Sequence, residues 1–189
     1  AMQCPAVKAA PSTVVPLTDD TRNLVEGCCS SKSKIGKRTK SSAGCEVHRF
    51  TAKEDLTKAE TVKAAKAKIR DRRDSLWASI PCVGGCPFQI INALKGPKTR
   101  AKIRGHWKLF RKLWASFVEV AEHALSLGAV ICFEWPRRCA YWRDKRVLAF
   151  IKKHNLVCVR VDGCMYGVKA SRKSKRGMPM QKSWTICTS

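Results

Sequence analysis

Three side chains in this sequence stand where an apolar run gives way to a turn, and each is of a type that can do chemistry. Cys82 follows the run Leu76-Trp77-Ala78-Ser79-Ile80-Pro81, with Gly84-Gly85 just behind it. A strand halted by proline and handed to a glycine turn presents its next side chain at the carboxyl edge of a sheet, where open α/β sheets bind ligands. Cys82 is therefore a candidate nucleophile, with a buried cysteine packing as a small hydrophobe as the competing reading. Glu134 closes the run Ala129-Val130-Ile131-Cys132-Phe133, and Glu26 closes Arg22-Asn23-Leu24-Val25. A thiol attacks as its thiolate, which the positive charge of Arg137, Arg138 and their neighbours would favour, and a carboxylate nearby could hold or deliver a proton.

The elements that must position these groups alternate along the chain. A short strand followed by a turn is expected over 22–29, and a second strand over 45–50 from the alternation in Cys45-Glu46-Val47-His48-Arg49-Phe50. Asp55 then precedes an Ala- and Lys-rich helix over 57–73, and the strand ending at Pro81-Cys82 follows it. A long amphipathic helix over 105–127 carries Phe110, Leu113, Trp114, Phe117, Ala121 and Leu125 at spacings of three and four, with Gly128 as its C-terminal cap. The apolar run ending at Glu134 reads as a central parallel strand, a helix is expected over 141–154, and a strand over 156–161. The tail, with Met165-Tyr166-Gly167-Val168 and Ser183-Trp184-Thr185-Ile186-Cys187 on either side of a basic Gly/Ser loop, reads as a hairpin. The fold expected is α/β: a mostly parallel Rossmann-like sheet with helices on both faces and a C-terminal antiparallel hairpin. It would occupy residues 21–189, after a flexible lead-in over 1–20 that holds three prolines.

The charge points to a polyanionic partner. Thirty-eight Lys and Arg against 14 Asp and Glu give a formal +24 over 189 residues, an excess that repels itself unless something neutralises it. Nucleic acid, DNA or RNA, is the partner expected, bound in a salt-sensitive manner with little sequence preference. The leading contact is the segment 95–112, eight basic residues without an acid, including Lys95, Lys98, Arg100, Lys102, Arg104 and Lys108. Arg137 and Arg138 would add to it, as would the late loop with Lys169, Arg172 and Lys173. Trp107 and Phe110 lie within that segment and could stack on an unpaired base or belong to the core. No apolar run reaches the 18 or so residues that span a bilayer, and no charged-then-apolar leader opens the chain, so an intracellular location, nuclear or cytoplasmic, is expected without a membrane partner.

Eleven cysteines form no compact disulfide framework, and reduced thiols are expected. Cys28, Cys29 and Cys45 with His48 could be drawn as a metal site, but no CxxC pair occurs and no metal is expected. A cysteine hydrolase would need a histidine beside Cys82; of His48, His106, His123 and His154, His123 is expected in a solvated pair with Glu119, and no hydrolase signature accompanies the cysteine.

Taken in order, several segments resemble the DNA cytosine-5 methyltransferases, enzymes that use S-adenosylmethionine and have a doubly wound sheet. Leu24-Val25-Glu26-Gly27-Cys28-Cys29-Ser30 is similar to a degraded form of the family's first cofactor turn, and Asp55 to the acid after a later strand. Ser79-Ile80-Pro81-Cys82 with Phe88-Gln89 resembles the catalytic proline-cysteine loop, and Phe133-Glu134-Trp135-Pro136 the segment with the family's glutamate. Tyr166-Gly167-Val168 with Pro179 and Gln181-Lys182 is similar to a late Gly-Val-Pro-Gln segment, so the likeness covers about 22–187. It implies that Cys82 adds to C6 of a cytosine, that Glu134 contacts ring N3, and that Glu26, Gly27, Asp55 and Pro81 hold the cofactor. The target base would have to leave its duplex. Trp135 replaces the family's asparagine, the first turn has one glycine, and a protein partner could supply contacts it lacks. The alternative from another class is a protein of the same fold that binds DNA or RNA through its basic surface without catalysis.

Overall fold

Burial alternates along the central strands of the sheet, at Ser75–Ala78 and Val130–Pro136, as their apolar runs require. The structure is a computed structural model and describes residues 21–35, 45–170 and 176–189. In it β1 (Arg22–Gly27), β2 (Cys45–Phe50), β3 (Ser75–Ala78), β4 (Val130–Pro136), β5 (Val157–Asp162) and β6 (Ser183–Thr188) form one six-stranded sheet in the order β2-β1-β3-β4-β6-β5. The pairs β1/β2, β1/β3 and β3/β4 are parallel, and β6 runs antiparallel to both β4 and β5. The sheet is thus α/β and mostly parallel, with its antiparallel pairings at the C-terminal side. The lead-in expected at 1–20 lies outside the described residues.

The expected hairpin is corrected in one arm. The partner of β6 is β5, while Gly163–Tyr166 makes a 3₁₀ turn and Lys169 and Pro179 form an isolated bridge. Gly167, at φ 73°, ends that turn in the left-handed conformation that glycine adopts freely, so the segment leaves the sheet where a strand was expected.

Helices on both faces were also expected; among the described residues the helices that cover the sheet share one face. The helices α1 (Ala59–Ala67), α3 (Pro97–Ser126) and α4 (Lys145–Lys153) pack on one face; α2 (Gln89–Ala93) is a short exposed helix beside α3. Ala65 of α1 and Leu113 and Phe117 of α3 meet Val25, Leu76 and Ala78 of the sheet. Phe150 of α4 lies against Trp114 and Phe117, and Phe117 against Phe133. Strand order explains this. The steps β2 to β3, β3 to β4 and β4 to β5 all cross the sheet in one direction, and right-handed crossovers must then place their helices on one side. Of the steps between parallel strands, β1 to β2 alone runs the other way, and Ser33 and Ile35 at the start of its connection lie on the opposite face, near Trp77, Trp184 and Ile186.

The core is unusually aromatic. Phe110, Trp114, Phe117, Phe133, Trp135, Tyr141 and Phe150 are all at least nine-tenths buried, and the rings of Phe110 and Tyr141 stack at 3.6 Å between centroids. Each such ring removes about 150–250 Å² from water, so this cluster dominates the hydrophobic term. The α3 stripe reads Phe110, Leu113, Trp114, Phe117, Val120, Ala121 and Ala124, and the helix begins earlier than the apolar stripe alone implies, because Pro97 at its first turn is preset for helix. The α4 start is capped by Asp144, whose side chain accepts from the Arg146 N–H at 3.0 Å.

Cys158 and Cys187 face each other across β5 and β6 and form a disulfide, so the expectation of uniformly reduced thiols does not hold for this pair. No helix among the described residues is long and apolar enough to cross a membrane.

Candidate functional site

Register brings the strand ends into one line. Gly27 pairs with Ala78 and Ala78 with Phe133, so Cys28, Ser79 and Glu134 form the next row, at the carboxyl edge. β1 is also where the strand order reverses, with β2 on one side and β3 on the other, the switch point at which open sheets leave a crevice. Two cavities and a cleft surround this edge.

The first cavity, of about 420 Å³, lies over the face that bears no helix among the described residues and is lined by Glu26, Ser33, Trp77, Ser79, Glu134 and Trp184 among others. Glu26 is 3 % exposed; its carboxylate accepts from the Ser33 hydroxyl at 2.5 Å and sits 3.3 Å from Arg49 Nε. Burial pushes the Glu134 carboxyl up, against the pull of the Ser79 hydroxyl and the Lys182 ammonium. Both glutamates keep an Oε2 atom that is buried without a hydrogen-bond partner. Lys182 itself lies over the Trp184 ring, 4.7 Å from its centroid.

The second cavity, of about 290 Å³, is lined by Cys28, Cys29, Thr51, Asp55, Leu56, Pro81, Leu109 and Leu113. Asp55 is held below the usual carboxylate range by hydrogen bonds from Thr57, including its N–H at 2.9 Å. Cys28 takes φ 57°, the left-handed conformation of a tight turn, and burial raises its thiol to about 12, with Cys29 and Asp55 adding to the shift. Gly27 does not reach this cavity: a β-carbon there would stand 3.3 Å from Leu56 Cδ1. Of the four expected cofactor residues, Asp55 and Pro81 therefore share one cavity, Glu26 lines the neighbouring one, and Gly27 is sealed beneath them.

Cys82 lies between these spaces and a third. The indole N–H of Trp135 donates to the Ile80 carbonyl at 2.8 Å, pinning the Pro81-Cys82 step to β4 beside Glu134. A 3₁₀ turn over Val83–Gly85 then presses both glycines onto the core: a β-carbon on Gly84 would lie 2.5 Å from Tyr141 Oη, and one on Gly85 2.6 Å from Cys139 Sγ. Cys82 is half-buried and close enough to Glu134 for each charge to be felt by the other, but it does not line the Glu134 cavity. Burial raises its thiol, reinforced by Cys86 and Glu134, and Lys182 is the cation that opposes this. The expectation that Arg137 and Arg138 favour the thiolate is overturned: desolvation wins.

The third space is a cleft of about 680 Å³ whose walls include Arg137, Arg138, Arg143, Trp107, Trp142 and Cys86. Arg137 and Arg138 are exposed there, in the turn after β4. Lys95, Lys98, Arg100, Lys102, Arg104 and Lys108 are exposed along and just before the first half of α3, and Lys169 beside its bridge. Arg172 and Lys173 lie outside the described residues. Phe110, 1 % exposed, belongs to the core and cannot stack on a base. His48 contacts Asn23 Oδ1 at 2.8 Å, His154 contacts Glu122 at 2.9 Å, and His123 contacts the Ile69 carbonyl at 3.1 Å rather than Glu119, which pairs with Lys66. Among the described residues no cluster of three or more His, Cys, Asp or Glu could hold a metal ion.

The residues that sequence reasoning passed over are Trp77, Trp184 and Ser33 in the first cavity and Trp142 and Arg143 in the cleft. Period-two alternation does place Trp77 on the same side of the sheet as Glu26, but only the strand order says that this side bears none of the described helices. No family model matches the chain, and no curated protein or solved structure is significantly similar to it.

Proposed function

We propose that the protein is a methyltransferase-like, S-adenosylmethionine-dependent protein acting on nucleic acid, with cytosine C5 as the position its residues suit. The observation that carries this reading is the convergence of Asp55, Pro81 and the Cys28-Cys29 turn on one cavity at the switch point, a single strand away from the Glu134 cavity. These residues came from three separate strand ends, and a common cavity is what a ligand bound at that point requires.

The fit of the cofactor can be judged from the donor set. A nucleoside needs an acceptor for its hydroxyls and an apolar slot for its base; Asp55 keeps acceptor capacity beyond its bond to Thr57, and Leu56, Pro81, Leu109 and Leu113 supply the slot. The volume is at the low end of the roughly 300–1,000 Å³ common for such sites, and it adjoins the larger cavity across Cys28 and Cys29. When bound, the cofactor supplies an electrophilic methyl group. The chain's own groups would act on the base. Cys82 Sγ is the nucleophile for C6, and its proton must leave first, since burial favours the thiol. Glu134 is favoured by burial in its protonated form, the form able to donate to ring N3.

The second reading, a non-catalytic nucleic-acid binder of this fold, is favoured by the protonated state of Cys82 and by two cysteines in the first turn, where side chains take space. Calorimetry with S-adenosylmethionine, followed by methyl transfer from labelled cofactor to DNA and RNA, separates the two. The enzyme reading expects heat of binding in both the parent and Cys82→Ser, with transfer lost in the variant alone. Absence of binding heat leaves the non-catalytic reading standing.

A further inference from the structure

The cleft beside the Cys82 turn is built differently from every other concavity at the carboxyl edge, and it answers a question that the net charge leaves open. Arg137, Arg138 and Arg143 stand on its rim, all exposed, and none has a carboxylate within 4.0 Å among the described residues. Among the described residues no acid lines the cleft. Three guanidiniums without carboxylates, each with a fork of donors, are a receptor for phosphate groups.

Phosphate binding alone would not need tryptophan. Trp107 and Trp142 both line the cleft, both are half-buried, and both are held rigidly. Trp107 packs edge-on against Tyr141 at 4.8 Å and Phe110 at 5.7 Å; Trp142 packs edge-on against Trp135 at 4.8 Å and donates its indole N–H to the Pro136 carbonyl at 3.2 Å. A fixed ring loses little freedom when a base stacks on it, and a stacked base must be unpaired or splayed from its neighbours. The floor between them is apolar and close to backbone, with Gly84, Gly85, Pro87, Ile90 and Ala140.

We propose that this cleft binds single-stranded nucleic acid, its arginines holding successive phosphates and Trp107 and Trp142 offering surfaces to unpaired bases. The proposal rests on the nucleic-acid half of the reading above and is independent of the cofactor. A duplex hides its base faces inside the stack and would meet only the rim arginines and the exposed cations of α3, so the two forms of nucleic acid engage different amounts of the same surface. A strand in the cleft passes the glycine turn that carries Cys82, because Gly84, Gly85 and Cys86 form one wall.

The test uses the full chain, fluorescence anisotropy, a labelled single strand of about ten nucleotides, and the matching duplex. Inorganic polyphosphate serves as a competitor that carries charge without bases. Expected is tighter binding of the single strand than of the duplex, weak competition by polyphosphate, and a loss of at least about tenfold in single-strand affinity in the triple variant Arg137→Glu, Arg138→Glu, Arg143→Glu, with a smaller loss for the duplex. Photocrosslinking of a 5-iodouracil strand to the unaltered protein should label Trp107 or Trp142, which keeps the idea testable should the triple variant misfold. Equal losses for strand and duplex, complete competition by polyphosphate, or crosslinks confined to α3 outside the cleft would overturn the proposal while leaving general polyanion binding in place. If neither nucleic acid binds at low salt, the nucleic-acid reading falls with it.

Discussion

The cavity that Glu26 and Glu134 line and the cleft beyond the Cys82 turn are neighbours with opposite chemistry. One gathers two glutamates, each with a buried oxygen that accepts no hydrogen bond, between Trp77 and Trp184; the other gathers three arginines between Trp107 and Trp142. In a chain of formal charge +24 the cationic cleft could arise from composition alone, whereas the acidic cavity could not. Fourteen acids are few, and burying two of them on one face of the sheet costs stability that Arg49 beside Glu26 and Lys182 near Glu134 offset in part. The contrast separates a surface that attracts a polyanion from an interior site that selects groups able to donate hydrogen bonds.

The largest effect expected from this contrast is in ionic strength. If the cleft and the first half of α3 together neutralise six or more phosphates, affinity for nucleic acid should fall by about 10³-fold or more between 50 and 200 mM salt, whereas a neutral nucleoside entering the acidic cavity should bind nearly independently of salt. A flat response in an anisotropy titration of the oligonucleotide would remove the distinction. Next in size is the wall between the two sites. Gly85→Ala should lower stability by about 1–3 kcal/mol, since its new methyl overlaps Cys139 and the Tyr141 ring, and an unchanged urea midpoint would mean that the turn is not seated as described.

A smaller effect follows from Glu134. Its carboxyl is raised above 4.5 in the folded protein by burial, so the native state holds that proton more tightly than the unfolded chain does, and the contribution to stability is present at low pH and is lost as pH rises through the folded value. Glu134→Gln should remove that loss, raising the melting temperature modestly at neutral pH and leaving it little changed at pH 4. A variant less stable at pH 7 would argue that the carboxylate is compensated by a partner such as Lys182. The smallest and most local effect concerns the thiol. Cys82 should alkylate slowly with iodoacetamide below pH 9 and faster above it, and the Glu134→Gln change should quicken the reaction slightly by removing a repelling charge. Rapid labelling at pH 7 would contradict the dominance of burial over nearby cations.

All six strands could be read from their apolar runs, because alternation and β-branched content depend on neighbours in sequence. The ends of helices were less legible: α1 stops at Ala67, since the chain must turn to bring Asp74 under Asn23, whose N–H its carboxylate accepts at 2.6 Å. α3 extends back to Pro97 through a basic stretch that looks like a loop when only apolar spacing is followed. That the described helices share one face could not be read at all, because handedness acts on strand order, and strand order is a property of the folded sheet. The same holds for the site. Cys82, Glu134, Asp55 and Pro81 were visible as strand-end residues; Glu134 lines one cavity and Asp55 and Pro81 the next, whereas Cys82 lines neither. Of the two readings left open for Phe110, the core one holds, because α3 turns that position into the aromatic cluster. Trp142 and Arg143 went unnoticed because a 3₁₀ turn, Ala140–Arg143, replaces the first turn of an expected helix and aims them differently.

The glycine pair behind Cys82 has a consequence for how this chain can change over generations. Because Gly84 abuts the hydroxyl of Tyr141, and Gly85 abuts its ring and the Cys139 sulfur, none of these four positions can drift alone. Homologues with a larger residue at 84 or 85 should carry a smaller one at 139 or 141 in compensation, so inherited substitutions in this corner should appear in pairs.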